Sequence, residues 1–202
     1  MTIIPNERSV VEVYQWLVQI VTPRPIAWVS TIDAKGIVNV APFSFFNVVG
    51  ANPPLVIFSP TRKRDGSKKD TLVNIEQLGE FVVNTSTVEN VHALNLTAKE
   101  LPHEESELTF AQLESCPSQM IRPPRLACAP VQLECQLDRL ISYGDGPISP
   151  TLIIGKIVCI HIDEKILNTE GKVDPHKYVT LGRLGGDFYS RTTDLFELKR
   201  PS

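Results

Sequence analysis

The sequence predicts a mainly β protein with peripheral helices, built as a closed antiparallel barrel rather than a parallel α/β sheet. Three observations carry this expectation. About six segments read as strands while helical patterns are few and scattered, so the regular strand–helix alternation of a parallel sheet is missing. Two strand patterns, VQLECQLDRLISYG (131–144) and TLIIGKIVCIHID (151–163), exceed the usual strand length. Strands so long bend around a barrel, and Gly155 is a natural bending point. No segment repeats, which removes solenoids.

The elements follow in order. Ser9 with Glu12 three residues on fits a capping box, and Val13, Trp16, Leu17 and Ile20 recur at helical spacing until Pro23 and Pro25 stop the helix. IAWVSTID (26–33) and GIVNVA (36–41) read as a β-hairpin around the turn Ala34-Lys35-Gly36. PLVIFS (54–59) is apolar throughout and is expected to be buried on both faces. DTLVNIEQLG (70–79) is a helix with Asp70 as N-cap, Leu72, Ile75 and Leu78 as its apolar stripe and Gly79 as its stop. EFVVNT (80–85) is a further strand, and a second helix is expected from Thr87 to about Ala98 on the strength of Val91 and Leu94. Residues 99–130 carry Pro102, Pro117, Pro123, Pro124 and Pro130 and the acidic run HEESE, and read as an extended excursion inside one domain spanning 1–202. The tail, YVTLGRLGGDFYSRTTDLFEL, sets Gly182, Gly185 and Gly186 beside aromatics.

Composition narrows the function. With 202 residues, 42% of them hydrophobic, the chain can bury one sizeable core. A net charge of −3 argues against coating nucleic acid or an acidic membrane, which needs many cations to displace counterions. MTIIPNERS is not a charged region followed by a long apolar run, and no stretch approaches a membrane span, so a cytoplasmic protein with no membrane or nucleic-acid partner is expected. Cys116, Cys128, Cys135 and Cys159 form no CxxC pair and are expected to be reduced and mostly buried. No metal site is expected: the four histidines are not paired at ligand spacing, His161 reads as a surface position on its strand, His92 as a packed or solvated helix position, and Cys135 and Cys159 as small core residues.

The stretch PTRKRDGSKKDT (60–71) places five basic side chains in twelve positions. It reads as a solvated turn, as a nucleic-acid or localisation patch, or as a phosphate pocket. Position favours the third, because Lys69-Asp70-Thr71 falls where a helix begins and free N–H groups, a lysine and a hydroxyl converge at the positive end of a helix dipole. A second stretch, APFSFFNVVGANPP (41–54), follows a strand with paired aromatics, small residues and an asparagine. Aromatic and backbone groups of this kind can cover a flat ring while Asn47 meets its polar edge; equally, Phe43, Phe45 and Phe46 can be core.

RPIAWVSTID, NVAPFSFFNVVGANPPLVIFS, KKDTLVNIEQLGEFVVN, PPRLACAPVQLECQL, TLIIGKIVCIHI and LGRLGGDFYSRTTDLFEL together resemble the flavin reductase-like domain family, the FMN-binding split β-barrels that include flavoredoxins. The resemblance runs from about residue 22 to residue 198. It implies a split β-barrel homodimer holding FMN noncovalently near the subunit interface, with NAD(P)H or another donor reducing the flavin in some members. On this chain it places Ser44, Phe45, Phe46 and Asn47 at the ring, Ser59 at the ribityl chain, and Lys69, Asp70 and Thr71 at the phosphate, with Arg24, Ser30 and Thr31 lining the same pocket. The insertion TRKRDGSK departs from relatives with a shorter link; Arg62 and Arg64 either add an anion contact or are solvated.

No GxSxG elbow, HExxH or Walker A pattern is present, so hydrolase and metalloenzyme readings have nothing to rest on. Flavin chemistry needs none of these, and GRLGG is not a dinucleotide fingerprint, so a nicotinamide donor is expected to bind transiently over the flavin. His176 in the loop DPHKY, Arg183 and Tyr189 are candidates for the substrate face. The expected function is an FMN-binding oxidoreductase passing electrons to flavin, ferric iron or a partner. The alternatives are a non-enzymatic FMN carrier and a barrel that binds single-stranded nucleic acid through the basic loop and its aromatics.

Overall fold

A computed structural model describes residues 1–201 of the chain. Its first helix, α1 (Val10–Ile20), starts at the predicted capping box: Ser9 N–H donates to Glu12 Oε2 at 3.0 Å, and Glu12 N–H donates to Ser9 Oγ at 3.3 Å. The strands follow as β1 (Arg24–Pro25), β2 (Ala27–Ile32), β3 (Val38–Phe43), β4 (Phe46–Ala51) and β5 (Pro54–Phe58). After the basic loop come α2 (Asp70–Leu78), β6 (Glu80–Thr85), α3 (Val91–Leu96), α4 (Glu107–Phe110), β7 (Ser115–Cys116) and β8 (Arg125–Leu126). Two long strands, β9 (Val131–Ser142) and β10 (Thr151–Ile162), precede the short β11 (Leu181–Arg183) and β12 (Tyr189–Arg191).

Seven strands form one antiparallel sheet in the order β3-β2-β6-β9-β10-β5-β4. Its outer strands, β3 and β4, are consecutive in the chain and joined only by Ser44 and Phe45. Three peptide links span at most about 11 Å, whereas a flat sheet of this width would hold its edges about 29 Å apart. The sheet is therefore curled on itself. Among the described residues no hydrogen-bonded ladder joins β3 to β4, so the barrel is split at that seam, in line with the split β-barrel that the family resemblance implies. Gly155 sits at a register shift in β10, where a Cβ would lie 2.3 Å from Phe81 Cζ. The bend and the close approach of the Phe81 ring both require glycine there.

The inner face of the sheet carries Val29, Phe43, Val56, Phe58, Phe81, Val83 and Ile153, against which α2 packs Leu72 and Ile75. A second cluster lies on the opposite face of β2 and β3, where Trp28 and Val40 meet Leu94, Leu126 and Leu181. Strand β2 is thus buried on both faces. The same expectation for 54–59 is corrected: Val56 and Phe58 are buried while Leu55 and Ile57 are half-buried.

Two helix expectations are also corrected. The N-cap of α2 is Lys69, with extended backbone, and Asp70 is the first helical residue. The predicted 87–98 helix shrinks to α3, because Thr87 is drawn into a bridge with Thr180 and its N–H donates to Asn90 Oδ1 at 2.9 Å, an alternative to helical pairing. The stripe of α1 is not covered within the chain: Val10 is 64%, Leu17 46% and Ile20 66% exposed, and only Val18 of this helix is buried. No helix among the described residues is long and apolar enough to cross a membrane.

Candidate functional site

The link that closes the barrel also forms the wall of a trough. One hollow of about 160 Å³ is lined by Tyr14, Pro42, Phe43, Ser44, Phe45, Ser59, Thr61 and Lys69. A second of about 160 Å³ shares Pro42, Phe43 and Lys69 with it and continues past Asn39, Lys63 and Glu107 to the 97–101 segment. A third, apolar hollow of about 420 Å³ adjoins the first through Tyr14, Phe45 and Thr61, and runs beneath α1 along Val10, Val13 and Leu17. An apolar chamber therefore opens into a polar channel that ends at the start of α2.

Local structure explains the placement. Ser59 N–H donates to Phe45 O at 2.9 Å, fixing the link between β3 and β4 to the end of β5. Arg24 is buried and donates from Nε to Ser44 Oγ at 3.3 Å, from Nη2 to Leu184 O at 3.1 Å, and from Nη1 to the Val18 and Val21 carbonyls at the end of α1. It is a scaffold for the site rather than a wall of it, and burial pulls its pKa down. The glycines of GRLGG serve the same assembly. A Cβ on Gly182 would meet Pro23 Cβ at 2.6 Å, and one on Gly185 would meet Gln19 Cγ at 2.5 Å.

The five basic side chains of the 60–71 loop separate by geometry. Lys63 and Lys69 line the channel. Lys68 pairs with Glu76 at 2.6 Å, and Arg64 is exposed. Arg62 closes the loop by donating from Nη1 to Gly66 O at 2.9 Å, and its buried Nε has no partner. Lys63 Nζ lies 3.7 Å from Asp70 Oδ2, whose other oxygen contacts His103 Nδ1 at 2.6 Å. Lys69 makes no ion pair or hydrogen bond to another side chain among the described residues, and no side chain caps α2.

The other sequence-predicted residues are engaged within the protein or stand outside the trough. Thr71 lines the channel floor, but its hydroxyl donates to Asn39 Oδ1 at 2.7 Å. Thr31 and Ser30 lie inside the protein: Thr31 Oγ1 accepts from Asn74 Nδ2 at 3.1 Å, and Ser30 Oγ donates to Pro124 O at 2.6 Å. Phe46 packs on the inner core, while Asn47 is exposed on β4, its Oδ1 accepting from Val48 N–H at 2.8 Å. Arg183 lies over the Tyr189 ring at 4.5 Å and donates to Phe188 O, and His176 stands on an exposed loop; none of the three lines the trough.

Sequence reasoning missed Tyr14, Asn39, Thr61, Lys63 and Glu107. Asn39 carried a signal, being a lone polar residue within an apolar strand pattern. Glu107 comes from the excursion, where nothing marked it; its Oε2 accepts from Asn39 Nδ2 at 2.9 Å and from Val40 N–H at 3.0 Å. Burial outweighs these bonds and holds its carboxyl above the usual range.

A seven-stranded antiparallel barrel, split at a seam that holds a part-apolar, part-polar trough, defines a split-barrel class of protein. Comparison with known proteins specifies the class: residues 21–180 match the family model of the flavin reductase like domain, and the chain belongs to that family. It superposes on nitrilotriacetate monooxygenase component B from Bacillus cereus with a TM-score of 0.92 and 38% identity, covering 98% of each chain. It superposes on the 2-nitrobenzoate 2-nitroreductase of Pseudomonas fluorescens with a TM-score of 0.90 and 30% identity, covering 100% of this chain and 97% of that one. Flavoredoxin of Desulfovibrio vulgaris shares the fold at a TM-score of 0.77 and 18% identity, covering 100% of this chain and 97% of that one. The protein is thus an oxidoreductase in kind, of the flavin-related sort.

Proposed function

We propose that the trough binds FMN and that the protein is an FMN-dependent oxidoreductase fed by NAD(P)H, passing electrons to flavin, ferric iron or a partner. The observation that carries this reading is the junction of an apolar chamber with a channel ending at unpaired Lys69 and the uncapped start of α2. The donor set fits the cofactor. Phe45 and Tyr14 offer aromatic walls for a ring, Ser44, Ser59 and Thr61 offer hydroxyls for a ribityl chain, and Lys69 with the α2 N–H groups offers positive charge for a phosphate. When bound, FMN supplies a ring that accepts a hydride and releases electrons singly or in pairs. The chain's own residues bind and orient it: Arg24 holds Ser44 and the end of α1 in register, and Phe45 is pinned by Ser59. No general base is required.

Residues 1–202 act as one unit in this reading, excursion included, and the working form is a homodimer. The bare apolar stripe of α1 and the edge strand β4, with Val48 58% and Val49 56% exposed, form surfaces that a second copy covers. The purified protein is expected to be yellow, to release FMN on denaturation, to scatter light as a dimer, and to be bleached anaerobically by NADH or NADPH. A colourless protein that gains no flavin spectrum with added FMN refutes the cofactor. Bleaching by dithionite alone refutes the nicotinamide donor and leaves the carrier reading.

A further inference from the structure

We propose that Glu134, Cys159 and His161 form a binding site for a thiophilic divalent cation, zinc by its donor chemistry, on the outer face of the barrel. Strand register builds the site. Cys159 and His161 are two apart on β10 and project to one side, and Cys159 is paired directly opposite Glu134 of β9. Cys135, the neighbour of Glu134, belongs to the inner core, so the three donors share the outer face. His161 Nε2 lies 2.6 Å from Glu134 Oε1 and 3.4 Å from Cys159 Sγ, and all three donor atoms lie within 4.8 Å of one another.

One ring nitrogen therefore faces both a carboxylate and a sulfur, and a single proton on it cannot serve both well. A cation can. With bond lengths of about 2.0 Å to nitrogen and oxygen and 2.3 Å to sulfur, tetrahedral zinc sets its ligands roughly 3.3–3.6 Å apart. The Cys159–His161 separation already matches, and the Glu134–His161 pair needs to open by roughly 0.7 Å on this scale. The carboxylate is fully buried and oriented by the N–H groups of Gln119 at 2.8 Å and Met120 at 2.7 Å, the outer support that metal-binding carboxylates use. The His161 side chain retains 15% exposure, which leaves an entry path and a fourth position for water. Arg125 Nε, 3.9 Å from Glu134 Oε1, is the opposing charge; its guanidinium is held by Pro117 O and Gln132 Oε1. Binding releases the Cys159 thiol proton to solvent, and the proton between His161 Nε2 and Glu134 leaves that contact, to Nδ1 by tautomer exchange or to solvent, so that Nε2 can ligate. Cys159 and His161 are both half-buried on this outer face, where the sequence suggests a core position for Cys159 and a surface position for His161.

The test uses chelator-treated full-length protein and cobalt(II) as the spectroscopic probe. A difference spectrum against metal-free protein, which cancels any flavin, is expected to show a thiolate-to-cobalt charge-transfer band that saturates at one equivalent per chain and is erased by zinc. Cys159→Ser is expected to abolish the band, and His161→Ala to weaken cobalt binding at least tenfold. In the wild type, zinc is expected to slow alkylation of Cys159 while leaving exposed Cys128 unchanged. No band in the wild type, an undiminished band in Cys159→Ser, or equal effects of zinc on Cys159 and Cys128 overturns the proposal.

Discussion

Replacing Lys69 by Ala tests the direction in which the trough is read. Lys69 is the charged residue shared by the polar hollows, stands at the N-cap position of α2 with extended backbone, and has no competing side-chain partner among the described residues, so its ammonium is free for an anion. A charge-assisted hydrogen bond contributes about 1.5–3 kcal/mol, and half-burial of Lys69 puts the expected loss near the lower end, roughly tenfold in Kd. The loss falls on FMN and not on riboflavin, which has no phosphate. Quenching of flavin fluorescence on titration with wild type, Lys69→Ala and Lys68→Ala measures it. Lys68 is the control, already paired with Glu76 at 2.6 Å, and its removal is expected to leave both ligands unchanged. Raising the salt narrows the gap between wild type and Lys69→Ala, since the site is partly open to solvent. Equal losses for FMN and riboflavin, or equal effects of the two lysines, refute the assignment of this end to a phosphate.

Thr71→Val is expected to lower stability by about 1 kcal/mol, because it removes the buried bond to Asn39; a selective loss of FMN affinity at unchanged urea midpoint contradicts this. Arg24→Ala is expected to destabilise by about 2–4 kcal/mol by leaving buried carbonyls without a donor, with Lys a poor replacement for the guanidinium fork; a midpoint within error of wild type sinks that role. Gly155→Ala, which brings Cβ to 2.3 Å from Phe81 Cζ, is expected to destabilise. The loss should be about 1–3 kcal/mol, and a Gly155→Ala, Phe81→Leu double mutant should recover at least about 0.5 kcal/mol of it in a mutant cycle. Burial raises the Glu107 carboxyl above its ordinary pKa, so between the two values the native state keeps a proton that the unfolded chain gives up. Its contribution is full below pH 4.5 and is lost as pH rises through the higher native pKa. Glu107→Gln should flatten that decline, and an unchanged slope of urea midpoint against pH refutes it.

What was legible in the sequence is what short-range chemistry dictates. The capping box of α1, the hairpin of β2 and β3, the stop of α2 at Gly79 with its left-handed φ of 66°, and the bend at Gly155 were read from local patterns and are found in place. The gathering of Ser44, Phe45, Ser59 and Lys69 was anticipated by the family resemblance, not by spacing alone. What was not legible depended on partners distant in the chain. Thr87 leaves its expected helix for a bridge to Thr180, and Glu107 reaches Asn39 and Val40 from an excursion without any periodic pattern. His161 alternates with apolar neighbours as a surface residue does; only the β9 register shows that it faces a buried carboxylate.

The two-residue link between β3 and β4 carries a consequence for the order of folding events. Strands β2, β6 and β9 meet across long stretches of chain, so sheet formation is slow and loop-closure entropy is lost before the contacts repay it. Phe45 meets Ser59 within the local β4–β5 hairpin, whereas Lys69 at the start of α2 and Tyr14 of α1 join them only once the curl is complete, so the full pocket does not exist in any partly zippered sheet. A ligand that uses it selects the finished barrel alone, and each tenfold excess over Kd adds about 1.4 kcal/mol to the native side. Appearance of ligand affinity during refolding should therefore coincide with the last kinetic phase, later than the recovery of strand signal.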